Sequence, residues 1–177
     1  MRDPVDGEKI LRLLEDLGNS CRGPGSVYIA GGSSAVVLGW RQATIDVDLK
    51  FFPEPEGIFE CLPGLKIRQN VNIEMASPDD FVPALPGWRE RSKWITTINR
   101  VDFYHFDFYT QSLSKLERDH AKDRVDVAAM VRVGLVVPTR LLELCDQLTP
   151  GEWSRYPAIE PDSVRAAVTR LIENEDA

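Results

Sequence analysis

The stretch from Tyr28 to Lys50 constrains this chain most. It reads Tyr-Ile-Ala-Gly-Gly-Ser-Ser-Ala-Val-Val-Leu-Gly-Trp-Arg-Gln-Ala-Thr-Ile-Asp-Val-Asp-Leu-Lys. Val27 to Ala30 predicts a short buried strand, and the Gly31-Gly32 pair breaks it. Ser33 or Ser34 is placed to cap a helix running to about Gly39. Ile45 to Phe52 predicts a second strand. Thirteen residues separate Gly32 from Asp46, room for one helix and a return into a neighbouring strand.

Alternation along a strand puts residues two apart on one face. Ile45, Val47 and Leu49 are expected to face the core, which sends Asp46 and Asp48 together to the other face. Two adjacent carboxylates repel unless one takes a proton or a cation lies between them. Oxygen ligands of this kind suit Mg²⁺ or Mn²⁺, and Mg²⁺ commonly takes one or two carboxylates plus substrate phosphates. The glycine pair adds a helix start whose N–H groups and dipole favour a phosphate, with Ser33 or Ser34 as a hydroxyl donor. Taken singly, each feature has a plainer account: an acidic solvent-facing strand, and a tight turn with a serine cap. Neither a Walker-type nor a dinucleotide glycine fingerprint is present.

The rest of the chain predicts a helix at about Glu8 to Leu17, ended by the turn residues Cys21 to Ser26. A Pro- and Gly-rich loop, including Phe52 to Gly57, follows the second strand. Asn70 to Met75 predicts a third strand and Pro78 to Gly87 a loop. Ile95 to Ile98 and Val101 to Tyr109 predict two more strands. From Ser112 the pattern is helical, through Val125–Val133, Pro138–Leu148 and Asp162–Glu173. This order predicts one α+β domain over residues 1–177, with a small mixed sheet in 1–111 and a helical part in 112–177.

With 28 acidic and 21 basic residues the net charge is -7, which argues against a general grip on nucleic acid. Three scattered cysteines without a Cys-x-x-Cys predict a reduced, cytoplasmic protein with no zinc framework. The first residues do not read as a signal peptide, and no apolar run predicts a membrane span, so no membrane partner is expected.

The glycine turn, helix and Asp-hydrophobic-Asp strand between Tyr28 and Lys50 resemble the nucleotidyltransferase superfamily, the polymerase-beta-like fold. Arg41 and Thr44 look like the residues before the acids in its bacterial and archaeal toxin-antitoxin-associated branch. The resemblance implies a third carboxylate on a later strand. Glu74 is placed for it, because Val71, Ile73 and Met75 would share one face and Asn70, Asn72 and Glu74 the other. Asp107 is the rival, opposite an expected Tyr104, Phe106 and Phe108 face. By the same resemblance Lys115-Leu-Glu-Arg118 and Lys122-Asp-Arg-Val-Asp126 look like helical segments of abortive-infection-like transferases. Lys115 would then contact a triphosphate and Asp123 would complete the site; the plainer account is solvated surface pairs.

The implied activity is transfer of a nucleoside monophosphate from a nucleoside triphosphate to an acceptor hydroxyl. Asp46, Asp48 and Glu74 would hold the metal, and Gly31, Gly32, Ser33, Ser34, Arg41 and Thr44 would contact the nucleotide. The acceptor stays open between a protein side chain, a tRNA end, an antibiotic hydroxyl and a free nucleotide, in a toxin-antitoxin or defence setting. Arg89, Arg91 and Lys93, with Trp88 or Trp94 stacking on a base, are candidates to bind it. A non-catalytic binding protein, such as an antitoxin-like subunit with a cognate partner protein, is the alternative class. A metal-dependent phosphohydrolase is a third, weakened because His105 and His120 lack ligand spacing and read as structural or surface residues.

Overall fold

The computed structural model describes residues 4–175. The chain forms two compact units: Met1–Ser77 with Ser92–Phe106, and Pro78–Arg91 with Asp107–Ala177. The architecture is α+β, with a five-stranded mixed sheet and flanking helices.

The first unit opens with α1 (Gly7–Ser20), whose start is capped by the Asp6 carboxylate accepting from the Lys9 N–H at 2.8 Å. Ile10, Leu13, Leu14 and Leu17 recur at helical spacing and are buried. Next come β1 (Gly25–Ala30), α2 (Gly31–Val37), β2 (Asp46–Phe51), α3 (Ile58–Arg68) and β3 (Asn72–Glu74). β4 (Lys93–Ile98) and β5 (Val101–His105) complete the unit. The sheet order is β3-β2-β1-β5-β4, so β1 is central. β1 is antiparallel to β2 and parallel to β5; β2 is parallel to β3, and β4 antiparallel to β5. Val27, Ile29, Val47, Leu49, Ile73, Val101 and Phe103 form the buried sheet face, in one core with the apolar residues of α1 and α3.

Several sequence expectations are corrected here. Residues 58–68 are helical, where no element was expected. Pro63 and Gly64 inside that segment obscure it: a mid-helix proline costs about 3 kcal/mol and a glycine about 1 kcal/mol. Burial of Ile58, Leu62 and Leu65 outweighs this at about 1.5–3 kcal/mol per side chain. Ile45 does not face the core; it precedes β2 and is 55% exposed. Met75 lies past the end of β3 and is 48% exposed.

The strand expected to reach Tyr109 ends at His105, and Asp107 caps the next helix instead. Its inward face carries Val101, Phe103 and His105, not Tyr104, Phe106 and Phe108. Tyr104 stacks on Tyr28 on the other face, with ring centroids 5.2 Å apart. Aromatic residues cover both faces of β5, so alternation could not identify the buried one.

The second unit holds a short 3₁₀ turn (Pro78–Asp80), α4 (Trp88–Arg91), α5 (Phe108–Arg118), α6 (Ala121–Arg132), α7 (Pro138–Asp146), α8 (Pro150–Trp153) and α9 (Pro161–Glu175). Leu113, Val127, Met130, Leu141, Leu144, Val164 and Val168 are buried in it. No helix among the described residues is long and apolar enough to cross a membrane.

Gly18 lets α1 approach β4 closely at Ile98. A Cβ there would lie 2.6 Å from Ile98 Cβ and Cγ2. Gly18→Ala is expected to destabilise the protein by up to about 2 kcal/mol in urea unfolding. Overpacking at about 1–3 kcal/mol exceeds the gain in helix propensity of about 1 kcal/mol. An unchanged or raised midpoint would show that Ile98 gives way.

Candidate functional site

The glycine turn, α2 and β2 converge as the alternation implied. Val47 and Leu49 are buried, while Asp46 and Asp48 are partly exposed on the opposite face of β2. In register, Asp48 lies opposite Ala30 on β1 and Glu74 on β3, and Asp46 lies opposite Asn72. The sheet thus brings Asp46, Asp48 and Glu74 to one face of two adjoining strands.

The glycines are required by neighbouring side chains. Gly31 has φ +58°, and a Cβ on it would stand 2.9 Å from Asp48 Oδ2. A Cβ on Gly32 would stand 2.4 Å from Thr44 Oγ1 and 3.3 Å from an Arg41 guanidinium nitrogen. Arg41, Thr44 and Asp48 therefore crowd around the start of α2.

The serines hold this arrangement from within. α2 begins at Gly31 with Ala30 at its cap position, so neither serine caps it; both lie inside the helix and are buried. The Ser33 hydroxyl donates to the Asp46 carbonyl at 3.4 Å, and the Thr44 hydroxyl donates to the same oxygen at 3.1 Å. Paired backbone bonds between Val5 and Thr44, at 2.7 and 2.9 Å, hold Thr44 in turn. The Ser34 hydroxyl donates to the Ile29 carbonyl at 3.2 Å. Ser34 Oγ also lies 2.9 Å from His105 Nδ1, a buried hydrogen bond between α2 and β5.

Asn72 has the contact that sequence reasoning missed. Its Nδ2 donates to Asp46 Oδ1 at 2.7 Å and to Glu74 Oε1 at 2.9 Å. The available signal was its register: a polar residue two before Glu74 on the same strand face. Among the described residues, no three or more His, Cys, Asp or Glu side chains form a group that could hold a metal. The Asp46 and Asp48 pair still fits an ion of the Mg²⁺ type that arrives with phosphate oxygens, since such an ion needs only one or two protein carboxylates.

The other candidate acids have cationic partners. Asp107 is fully buried. It caps α5 through the N–H groups of Tyr109 and Thr110, accepts the Thr110 hydroxyl, and takes Arg91 in two bonds of 3.0 and 2.8 Å. Lys115, 5% exposed, donates to Asp126 at 2.6 Å and to Asp123 at 3.3 Å. Arg118 closes on Asp123 with bonds of 2.8 and 2.7 Å. Burial alone would raise the Asp123 carboxyl, but the Arg118 bonds and the Lys115 charge outweigh it and hold it below the usual carboxylate range. Lys115 with Asp123 and Asp126 is a buried group between α5 and α6 where the plainer expectation was solvated surface pairs, and Arg118 reaches Asp123 from a half-exposed position.

Arg91 is committed to Asp107, Arg89 lies over the Trp88 ring, and the Trp94 indole N–H donates to Thr97. Burial pushes the Cys21 and Cys145 thiols up to about 11 and also raises Cys61, so none is a ready thiolate nucleophile. A concavity of about 360 Å³ between α1 and the end of α3, lined by Lys9, Arg12, Glu15, Asp16, Arg68 and Gln69, belongs to the helical layer and includes neither Asp46 nor Asp48.

No protein-family model, curated protein or solved structure matches this chain.

Two outcomes are expected from the buried polar groups. Burial, with the Lys93 charge second, pushes His105 from 6.5 down to about 4. Between those values the unfolded chain binds a proton that the folded chain does not. Stability is thus whole above pH 6.5 and falls by about 3 kcal/mol as pH drops to 4. His105→Asn should flatten that part of the pH profile in urea unfolding; an unchanged slope would assign it elsewhere. Lys115→Met, which strands two buried aspartates, should cost about 3–5 kcal/mol by the same measurement. A loss under about 1 kcal/mol would mean that water reaches the pair.

Proposed function

We propose that this chain is a nucleotidyltransferase of the polymerase-beta-like type. It would transfer a nucleoside monophosphate from a nucleoside triphosphate to an acceptor hydroxyl. The observation that carries the reading is the position of Asp46 and Asp48 on one face of β2, with Asp48 against the Gly31 backbone and Arg41 beside Gly32. A carboxylate pair and a guanidinium at one glycine turn suit a ligand that brings phosphates and a divalent cation together.

In this reading Asp46 and Asp48 would hold Mg²⁺ or Mn²⁺, and Arg41 would bind phosphate oxygens of the triphosphate. The ion, when bound, supplies charge neutralisation for the leaving pyrophosphate and eases loss of the acceptor's proton. The acceptor oxygen would form the new bond to the α-phosphorus as its proton passes to solvent water. The bond from that phosphorus to the bridging oxygen breaks, and pyrophosphate leaves with the electron pair. Ser33 and Thr44 hold the Asp46 backbone in place, and Ser34 ties α2 to β1 and His105. Lys115, proposed by resemblance to contact the triphosphate, donates to Asp123 and Asp126. A macromolecular acceptor, a tRNA end or a protein hydroxyl, in a toxin-antitoxin or defence setting is the proposed context, by resemblance of the motif.

One observation favours a second reading, a non-catalytic binding protein with a cognate partner: the three carboxylates do not form a single metal-holding group. Calorimetric titration of each of the four triphosphates with Mg²⁺ separates the two. Wild type should bind at least one triphosphate only when Mg²⁺ is present, and Asp48→Asn should weaken that binding at least tenfold. Equal binding by the variant would remove Asp48 from the site. Absence of any triphosphate binding would favour the partner-binding reading.

A further inference from the structure

Two half-buried cysteines, forty positions apart, come together where the end of α1 lies on the start of α3. Cys21 is the residue after α1, and its N–H bonds the Leu17 carbonyl. Cys61 sits in the first turn of α3, with its thiol donating to the Ile58 carbonyl at 3.0 Å. The residues on either side of Cys21 both reach this segment. The Ser20 side chain lies against the Cys61 sulfur. The Arg22 N–H donates to the Glu56 carbonyl at 2.8 Å, and its guanidinium reaches Glu56 and Glu60 at 3.3 and 3.2 Å. Cys21 is thereby held beside Cys61. Both pack against one core, and the charge of an ionised Cys61 is felt at Cys21.

A thiol with a close neighbour does not stop at a mixed disulfide, because the second thiol attacks it at an effective concentration set by the fold. We propose that Cys21 and Cys61 form a dithiol site, oxidised by a low-molecular-weight disulfide of the glutathione type to an internal disulfide that staples α1 to α3. One protein thiolate attacks a sulfur of the oxidant, breaks its S–S bond and expels one glutathione thiolate. The second protein thiolate attacks the protein sulfur of the mixed disulfide and expels the other. The two cysteine protons pass to the two glutathione thiolates, so the protein loses two hydrogens and two electrons and the oxidant gains them. Burial raises both thiols, which slows the first attack; the equilibrium depends instead on how closely the fold holds the two sulfurs. The staple belongs to the helical side of the sheet, opposite the Asp46 and Asp48 face, and stands independently of the reading of that face.

The test equilibrates the full chain with reduced and oxidised glutathione at graded ratios and quenches with acid. Free thiols are then alkylated, and the products are read by intact mass and peptide mapping. The folded chain should lose two hydrogens, link the Cys21 and Cys61 peptides, and keep Cys145, buried on α7, as a free thiol. In urea the same link should need a glutathione mixture about tenfold more oxidising, since the unfolded chain no longer holds the sulfurs together. Glutathione adducts on the folded chain without the internal link would overturn the inference, as would links that involve Cys145 or a link that forms as readily in urea. A folded chain that stays fully reduced across the whole range would overturn it too, because the sulfurs would then be out of mutual reach.

Discussion

The first unit depends on how closely α2 approaches the start of β2. The Asp46 carbonyl receives hydroxyl bonds from Ser33 on α2 and from Thr44 just before the strand. That closure requires a backbone without side chains at its nearest points. Gly31 leaves the space that Asp48 enters, and Gly32 the space that Thr44 and Arg41 enter. A Cβ at Gly32 would collide with Thr44, and one at Gly31 would displace the Asp48 carboxylate and strain a backbone at φ +58°. Since Asp46 and Asp48 sit on that strand, the same close approach that builds the sheet corner also builds the candidate site.

The acidic residues divide by the company they keep. Asp107, Asp123 and Asp126 are buried, and each is met by lysine or arginine. Burying such charges is tolerable only with that pairing, and the pairing uses them up. Asp46 and Glu74 instead share the neutral amide of Asn72, on a face that is only partly covered. A chain with a net charge of -7 can place carboxylates almost anywhere on its surface. What sets Asp46 and Asp48 apart is that they share one face of β2, with Asp48 close against the Gly31 turn.

The buried serine and histidine show how polar residues can serve the fold inside the site segment. Ser34 and His105 form a bond under α2 that joins the helix to the central strands. Nothing in the local sequence separates this serine from one that faces a ligand, because its partners lie five and seventy-one positions away. The apolar neighbours Val101 and Phe103 show the inward face of β5, yet a histidine at the third inward position breaks the pattern.

The sequence by itself determined the local units: the amphipathic α1, the turn at Gly31-Gly32, and the alternation that sends Asp46 and Asp48 to one face. These follow from backbone geometry and hydrophobic period, which act over a few residues. Only the tertiary structure decided the rest. It made residues 58–68 a helix despite Pro63, because packing in the core outweighs local propensity. It turned Asp107 into a helix cap held by Arg91, and it closed Lys115 against Asp126. It also set Asn72 between Asp46 and Glu74, through a strand register fixed by which side chains could be buried together. Such pairings join residues far apart in the chain, and their energies exist only once the core has brought those residues into contact.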